Sequence, residues 1–267
     1  MVVPILKWAG GKRWLISSER FSAPISYRRY IEPFLGSAAV FFHLEPHEAI
    51  LSDLNEGLIN LYKQVRDCPN DLHDLMVVHQ QCHSKSYYYE VREREISDGI
   101  EGASNFLYLN RTCWNGLFRV NLNGKFNVPI GTKEKVLMST DDFQSISNIL
   151  KNASIRCCDF ESVIDEAGED DFVFVDPPYT VKHNLNGFVK YNENIFKWSD
   201  QIRLRDALVR AKQRGAIIFV TNADHQTVRE LYDGQFCYEA LGRHSVLSGA
   251  STFRKQTTEA FFTCNFN

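Results

Sequence analysis

Four consecutive apolar residues, Phe172 to Val175, run directly into Asp176-Pro177-Pro178-Tyr179. The run is β-branched and aromatic, acids precede it and two prolines follow it, so it reads as a buried strand that stops at a rigid turn. A ligand site is expected beyond its carboxyl end, as in other open α/β sheets. The turn also carries chemistry. An exocyclic amino group on a nucleobase is a poor nucleophile, because its lone pair is delocalised into the ring. The Asp176 carboxylate and the Pro177 carbonyl can each accept one of its N–H groups, turning the lone pair toward an electrophile and stabilising the positive charge that develops on transfer. Asp176 is therefore a positioning and electrostatic group rather than a strong base. Neither proline has an N–H, so both offer acceptors only, and Tyr179 presents a π-face to a base taken out of a duplex. Alone, the motif is matched by an ordinary acidic turn after a core strand; its weight comes from the rest of the chain.

At 267 residues the chain has room for one α/β domain with a sizeable insertion. Thirty Lys and Arg against 33 Asp and Glu leave a formal net charge of −3, so no global cationic field announces nucleic acid, and any DNA contact has to come from local patches. The seven cysteines show neither CxxC pairing nor His-flanked metal spacing. Free thiols and the lack of a charged-then-apolar leader fit a reducing cytoplasm. No apolar run approaches the about 18 residues of a membrane span, and neither repeats nor low-complexity tracts are seen.

Near the start, ILKWAGGK (residues 5–12) combines an aromatic, Trp8, with two glycines and Lys12. Gly10 and Gly11 permit close backbone approach, Trp8 can cover a flat or sulfonium-bearing ligand, and Lys12 can meet a carboxylate; a plain turn is the ordinary reading. In YIEPFLGSAAVFFHL (residues 30–44) a strand end at Tyr30-Ile31 leads to a tight turn at Phe34-Leu35-Gly36 and a helix from Ser37 to Leu44. AILSDLN (residues 49–55) then gives a second strand ending at Asp53. An acid about 20 residues beyond the first glycine turn of a βαβ unit meets ribose hydroxyls, so a nucleoside-containing cofactor is implied. GxGxxG is absent, which disfavours a pyrophosphate cofactor such as NAD.

LKWAGGK, EPFLGS, SDLN, LYLNRTCWNGLFRVNLNGKFNVPIG (residues 107–131) and DPPY, in that order, resemble the Dam-type adenine-N6 DNA methyltransferases. The resemblance spans residues 6–188 and continues more weakly to the end. It implies a class I, Rossmann-like methyltransferase sheet with helices on both faces, formed by residues 1–56 and 140–267. It also implies a mainly helical target-recognition insert with a β-hairpin, residues 57–139. The cofactor implied is S-adenosylmethionine, with Trp8, Lys12, Asp53 and Asp176 at the contacting positions; Phe34 and Gly36 of the tight turn, and Asp159 and Phe160 at the end of a third strand, are further candidates for binding it. Asp176, Pro177 and Tyr179 would hold the flipped adenine for methylation at N6, in GATC. Two departures are visible. Ala38 stands where the family commonly has a second glycine; alanine is the least disruptive replacement. Thr132 and Lys133 stand where GATC readers often carry an arginine and a tyrosine.

Within the insert, apolar positions such as Leu58, Leu61, Tyr62 and Val65 keep helical spacing, and Tyr87 to Tyr89 with the charged run 91–95 read as helix core or solvated face. Asn115-Gly116 and Asn123-Gly124 mark turns of a polar hairpin over 118–128. In the resembled family this region enters DNA. Trp114 then wedges into the base stack, Asn115 caps the vacated space, Arg119 reads guanine O6 and N7, and Lys7 contacts a base. The ordinary readings are a buried hairpin anchor for Trp114 and a phosphate contact or surface ion pair for Arg119.

The chain returns to the catalytic domain with a helix over Asp142 to Leu150 and a strand at Ile155 to Cys157. Asp159 and Phe160 either flank an adenine ring or, for Asp159, simply cap a helix. The polar stretch 181–196, with Lys182, His183, Asn184, Gly187 and Lys190, suits an element that orders over substrate. Ser199 is expected to cap the next helix, whose Arg203, Arg205, Arg210, Lys212 and Arg214 read mostly as a solvated face. Strands follow at 216–222, 236–241 and 259–266, the last two joined by a basic loop with Arg243, His244, Ser245, Arg254 and Lys255.

These residues point to an S-adenosylmethionine-dependent adenine-N6 methyltransferase acting on double-stranded DNA in the cytoplasm. No metal, membrane or obligatory protein partner is called for. The rivals are a DNA-binding regulator that has lost turnover, against which DPPY speaks, and an amino-methyltransferase of RNA or protein, against which Trp114, Asn115 and Arg119 speak.

Overall fold

A computed structural model describes residues 2–18, 21–94, 98–121, 125–181, 196–244 and 256–266. The Asn123-Gly124 turn, the stretch 182–195, Ser245, Arg254, Lys255 and the side chains of Arg243 and His244 lie outside the described residues. Seven strands form one sheet: β1 Tyr30–Glu32, β2 Ala49–Asp53, β3 Ala153–Cys157, β4 Phe172–Val175, β5 Ile217–Ala223, β6 Cys237–His244 and β7 Gln256–Cys264, in the order β3-β2-β1-β4-β5-β7-β6. The helices are α1 Arg13–Ile16, α2 Ala39–Leu44, α3 Glu56–Asp67, α4 Pro69–Cys82, α5 Lys85–Glu93, α6 Gly99–Thr112, α7 Phe143–Leu150, α8 Phe160–Ile164, α9 Trp198–Gln213 and α10 Gln226–Tyr232. None of them is long and apolar enough to cross a membrane.

The chain divides into two compact units. The first comprises Met1–Ser22, Leu35–His47 and Leu51–Cys157, and the second Ala23–Phe34, Glu48–Ile50 and Cys158–Asn267. In the second unit β4 pairs in parallel with β1 (Tyr30↔Phe172, Ile31↔Val173) and with β5 (Phe172↔Ile217 through Val175↔Val220). All four of its residues are buried, as the unbroken apolar run requires. β7 runs antiparallel to β5 and β6, putting Glu259 opposite Ala223 and Leu241. Val173, Val175, Ile218, Val220, Leu204 and Phe262 fill the core. The acid before β4, Asp171, is fully buried and gathers Arg28 (Nη2 to Oδ2, 2.7 Å), Arg29 (Nε to Oδ1, 3.1 Å) and the Gly168 N–H (2.9 Å). Strand order reverses between β1 and β4, so a crevice is expected beyond their carboxyl ends, where Phe34 and Asp176 stand.

The first unit is mainly helical. Asn55 caps α3 by accepting the Leu58 N–H at 3.0 Å, and Leu58, Leu61, Tyr62 and Val65 are buried along one face. Tyr88 and Val91 of α5 are buried core, as the ordinary reading had it. The end of α6 ties down the N-terminal segment. Asn110 accepts the Lys7 N–H (3.1 Å) and returns its own amide to the Lys7 carbonyl (2.9 Å), mimicking a neighbouring strand. Arg111, buried, donates to the carbonyls of Ile5 (3.2 Å) and Val136 (2.8 Å) and makes a two-pronged pair with Asp141 at 2.6 Å.

Some boundaries differ from expectation. Helix α2 begins at Ala39 rather than Ser37, because Ala38 adopts a left-handed conformation (φ 53°). The hairpin shows, among the described residues, as isolated antiparallel bridges at Cys113↔Ile130 and Val120↔Phe126 rather than as strands. Ser199 is not the cap of α9, which already starts at Trp198; Asp200 instead reaches back to accept the Lys197 N–H at 2.8 Å. The arginines of α9 are not simply solvated: Arg203 and Arg210 pair with Glu161 (3.1 and 2.8 Å), and Arg210 also with Asp165 (2.8 Å).

Removing one member of a buried ion pair strands the other. Arg111→Ala is expected to cost about 3–5 kcal/mol, read as a lower denaturant midpoint at unchanged slope; a loss below about 1 kcal/mol would show that the clamp on Ile5 is dispensable.

Candidate active site

The catalytic turn lies in the second unit. Beyond Val175 the two prolines cannot continue a ladder, so the chain leaves the sheet at Asp176. Thr221, fully buried on β5, donates its hydroxyl to Oδ1 of Asp176 at 2.8 Å. A carboxylate accepts up to about four hydrogen bonds, so this bond sets the rotamer and leaves capacity for an amino group. The Tyr179 hydroxyl donates to Oε2 of Glu259 on β7 at 2.7 Å. Burial, and then the charges of Asp176 and Glu259, push the phenol well above its ordinary range, so Tyr179 stays a neutral donor. Thr180 closes the turn with a 2.7 Å bond to the Phe196 carbonyl.

Beside this turn, still in the second unit, Phe34 stacks on Phe160 at 5.4 Å and 26°, and the Arg203 guanidinium lies 4.5 Å from the Phe160 centroid. Asp159 caps α8 by accepting the Glu161 N–H at 3.0 Å and pairs with Arg203. The capping geometry is thus realised.

The first unit holds the other predicted cofactor residues. Trp8 makes offset stacks with Phe106 (centroids 6.4 Å apart) and Phe118 (5.9 Å). Gly36 has φ 47°, and a Cβ there would meet Trp8 Cδ1 at 2.9 Å. This glycine is therefore demanded by the approach of Trp8, quite apart from any ligand. Asp53 ends β2 and accepts the N–H groups of Asn55 (3.0 Å) and Gly36 (3.3 Å). Burial raises its pKa, and those backbone N–H groups hold it partly back. Lys12 is buried, with Nζ 2.6 Å from the Gly10 carbonyl.

The predicted DNA-contacting residues also lie in this unit, and all four are exposed. Trp114 is 55% exposed, which removes its reading as a buried anchor. Asn115 and Gly116 are both left-handed (φ 57° and 65°), and Asn115 accepts from Lys7 Nζ at 2.6 Å. A Cβ on Gly116 would come within 2.7 Å of Lys7 Cδ, so the turn needs its glycine for the lysine to lie across it. Burial and then the charge of Lys133 lower the Lys7 pKa. Arg119 donates to Asn127 Oδ1 at 2.8 Å.

Four residues of this arrangement escaped sequence reasoning: Asn110, Thr221, Glu259 and Arg203 in its pairing with Asp159. Thr221 and Glu259 each border an apolar run within a strand, and a polar residue at the end of such a run was the available signal.

A doubly wound sheet with an acid ending β2, an acceptor turn ending β4 and an antiparallel β7 placed between β5 and β6 is that of a class I methyltransferase. Residues 8–246 match the model of the D12 class N6 adenine-specific DNA methyltransferases, and the chain belongs to that family. It is 37% identical over 239 residues to the type II methyltransferase M1.LlaDCHI of Lactococcus lactis subsp. cremoris, covering 86% of this chain and 84% of that one. Identity to the type II methyltransferase M.MjaIII of Methanocaldococcus jannaschii is 35% (87% and 89% covered), and to the DNA adenine methylase of Haemophilus influenzae 32% (86% and 83%).

Two expectations follow from the backbone and the buried acid. At Ala38 the left-handed strain of about 1–2 kcal/mol is offset by about 0.8 kcal/mol for the buried methyl and about 0.4–1 kcal/mol of unfolded-chain entropy. Ala38→Gly should therefore leave stability within about 1 kcal/mol, whereas Gly36→Ala, which adds both strain and overlap, should cost about 2 kcal/mol or more; thermal melts decide. Asp53 binds its proton more tightly folded than unfolded, so its contribution falls as pH rises above the ordinary carboxylate value of about 4. Asp53→Asn should remove that loss, giving a flatter stability profile between weakly acidic and neutral pH in denaturant melts, and a profile as steep as wild type would contradict it.

Proposed function

We propose that this adenine-specific DNA methyltransferase uses S-adenosylmethionine to methylate N6 of an adenine flipped out of duplex DNA, in GATC, in the cytoplasm. The observation that carries the chemistry is the Asp176-Pro177-Pro178 turn, leaving β4 beside β1 with its carboxylate oriented by Thr221. The residues present suit the cofactor. Asp53 ends β2 and stands 17 residues beyond Gly36, a natural acceptor for ribose hydroxyls, and the Phe34–Phe160 pair offers aromatic surface for a base. By the resemblance of the motifs, Trp8, Lys12, Phe34, Gly36, Asp53, Asp159, Phe160 and Asp176 are the residues that would hold it. When bound, S-adenosylmethionine supplies an electrophilic methyl group on a sulfonium.

The protein's part is to hold and orient the adenine. Asp176 and the Pro177 carbonyl each accept one N–H of the amino group, lifting its lone pair out of conjugation and stabilising the positive charge that builds on nitrogen. The Tyr179 ring stacks on the base, and Glu259 anchors the ring by its hydroxyl. Trp114 is the wedge beside the vacated position, Asn115 fills that position with an amide tied to Lys7, and Arg119 reads guanine in the major groove. Residues 57–139 act as the target-recognition insert.

Direct modification sequencing of plasmid DNA from a methylation-deficient host expressing the chain tests this reading. N6-methyladenine in one sequence context, lost in Asp176→Ala, is expected; its absence with soluble wild-type protein would overturn the assignment. Arg119→Ala should reduce discrimination at one guanine by about 1–3 kcal/mol, whereas an equal loss on all sequences would make Arg119 a backbone contact.

A further inference from the structure

In the first unit a groove of about 450 Å³ runs where the α4–α5 junction faces residues 130–134. Ser84, Lys85, Thr132 and Lys133 line it, with Glu134 as its one carboxylate. One wall is tied from α4. Gln80 Oε1 accepts the N–H groups of Val136 (2.7 Å) and Leu137 (3.2 Å), while its Nε2 donates to the Glu134 carbonyl (3.2 Å). His83 Nε2 lies 3.2 Å from the Lys133 carbonyl, which only accepts, so Nε2 carries the proton. His83 Nδ1 lies 2.9 Å from the Tyr108 hydroxyl, within hydrogen-bond distance. Tyr108 is itself buried and stacked on His79 at 4.6 Å and 11°. The groove is thus built before any ligand arrives.

Its chemistry is cationic: two exposed ammonium groups and two hydroxyls against one carboxylate, in a chain whose net charge is −3. The wall of the groove runs into the Trp114 turn: the Trp114 N–H donates to the Pro129 carbonyl at 2.8 Å, the Gly131 N–H donates to the Thr112 carbonyl at 2.7 Å, and the Lys7 side chain lies against Asn115 of the same turn. A cation in this groove therefore shares a field with the residues proposed to enter DNA. A lysine is a point charge on a flexible stem, without the planar fork that reads a base edge bidentately. A phosphate diester needs only such a charge and a hydroxyl donor.

We propose that this groove receives a backbone phosphate of the bound duplex, with Lys85 and Lys133 as its partners, so that Lys133 contributes affinity rather than base discrimination. The inference rests on the reading of the Lys7–Trp114–Asn115 turn as the DNA-entering element. Thr132 and Lys133, which stand where the resembled family's GATC readers carry an arginine and a tyrosine, thereby acquire a role of their own.

The test is a salt series of duplex-binding titrations with the full chain, using one duplex that contains GATC and one with that sequence scrambled. Lys85→Gln and Lys133→Gln are compared with wild type and with Lys135→Gln, an exposed lysine outside the groove lining. Each groove variant is expected to weaken both duplexes by the same factor and to flatten the slope of log K against log salt by about 1, with Lys135→Gln leaving the slope unchanged. A changed preference between the two duplexes in Lys133→Gln would overturn the proposal in favour of base reading. Slopes equal to wild type in both groove variants, or equal flattening by Lys135→Gln, would overturn it in favour of no specific phosphate site. Failure of the underlying reading is separable: wild-type protein would then leave plasmid adenines unmodified and bind both duplexes alike.

Discussion

Strand β4 is buried on both faces and flanked on both edges, so every backbone amide it carries has to be satisfied within the sheet. Its two ends are where that requirement stops. At the entry, Asp171 takes the charges of Arg28 and Arg29 and holds the strand level with β1. At the exit, Pro177 and Pro178 have no N–H to offer a ladder, so the chain must turn out just where the strand order reverses. The position of Asp176 is thus a consequence of hydrogen-bond accounting in the sheet. The neighbouring strands complete the arrangement: β5 brings Thr221 to the carboxylate, and β7 brings Glu259 to the tyrosine.

In the first unit the organising contact is the end of α6. Asn110 treats residue 7 as a strand neighbour and Arg111 holds residue 5, so the N-terminal segment is laid along the helix that leads directly into the Trp114 turn. Residues more than a hundred positions apart in sequence, Lys7 and Asn115, are brought into hydrogen-bond contact by this single junction. The same segment delivers Trp8 to Gly36, so the cofactor-binding and DNA-contacting candidates of this unit share one anchor.

Charge is distributed with a similar economy. Arg28, Arg29 and Arg111 are committed to buried carboxylates, and Arg203 and Arg210 to acids of α8. The α9–α8 pairs are partly exposed and contribute little stability; their effect is to orient α8 and its capping Asp159. Among the described residues, Lys7, Arg119 and the groove lysines offer local positive charge to an anionic partner, as a slightly acidic chain acting on DNA requires.

Much of this protein was legible in its residues. Apolar runs and turn residues gave β4, β5 and the ends of β1 and β2 nearly to the residue, because a buried strand and a proline turn depend on local chemistry alone. The ordered motifs pointed to the family that the comparisons show. Helix starts were less legible, as at Ala38 and Ser199, since a cap depends on which backbone groups are left without partners. The partners of the site were not legible at all. Thr221 and Glu259 act on Asp176 and Tyr179 only because strand order puts β5 and β7 alongside, and Gly36 needs its glycine for the approach of Trp8, a residue 28 positions away. By itself, then, the sequence determined the strands, the acceptor turn and the chemistry they can support. Tertiary structure decided which distant side chains orient those groups, because hydrogen bonds and close packing act over a few ångströms of space, whatever the separation along the chain.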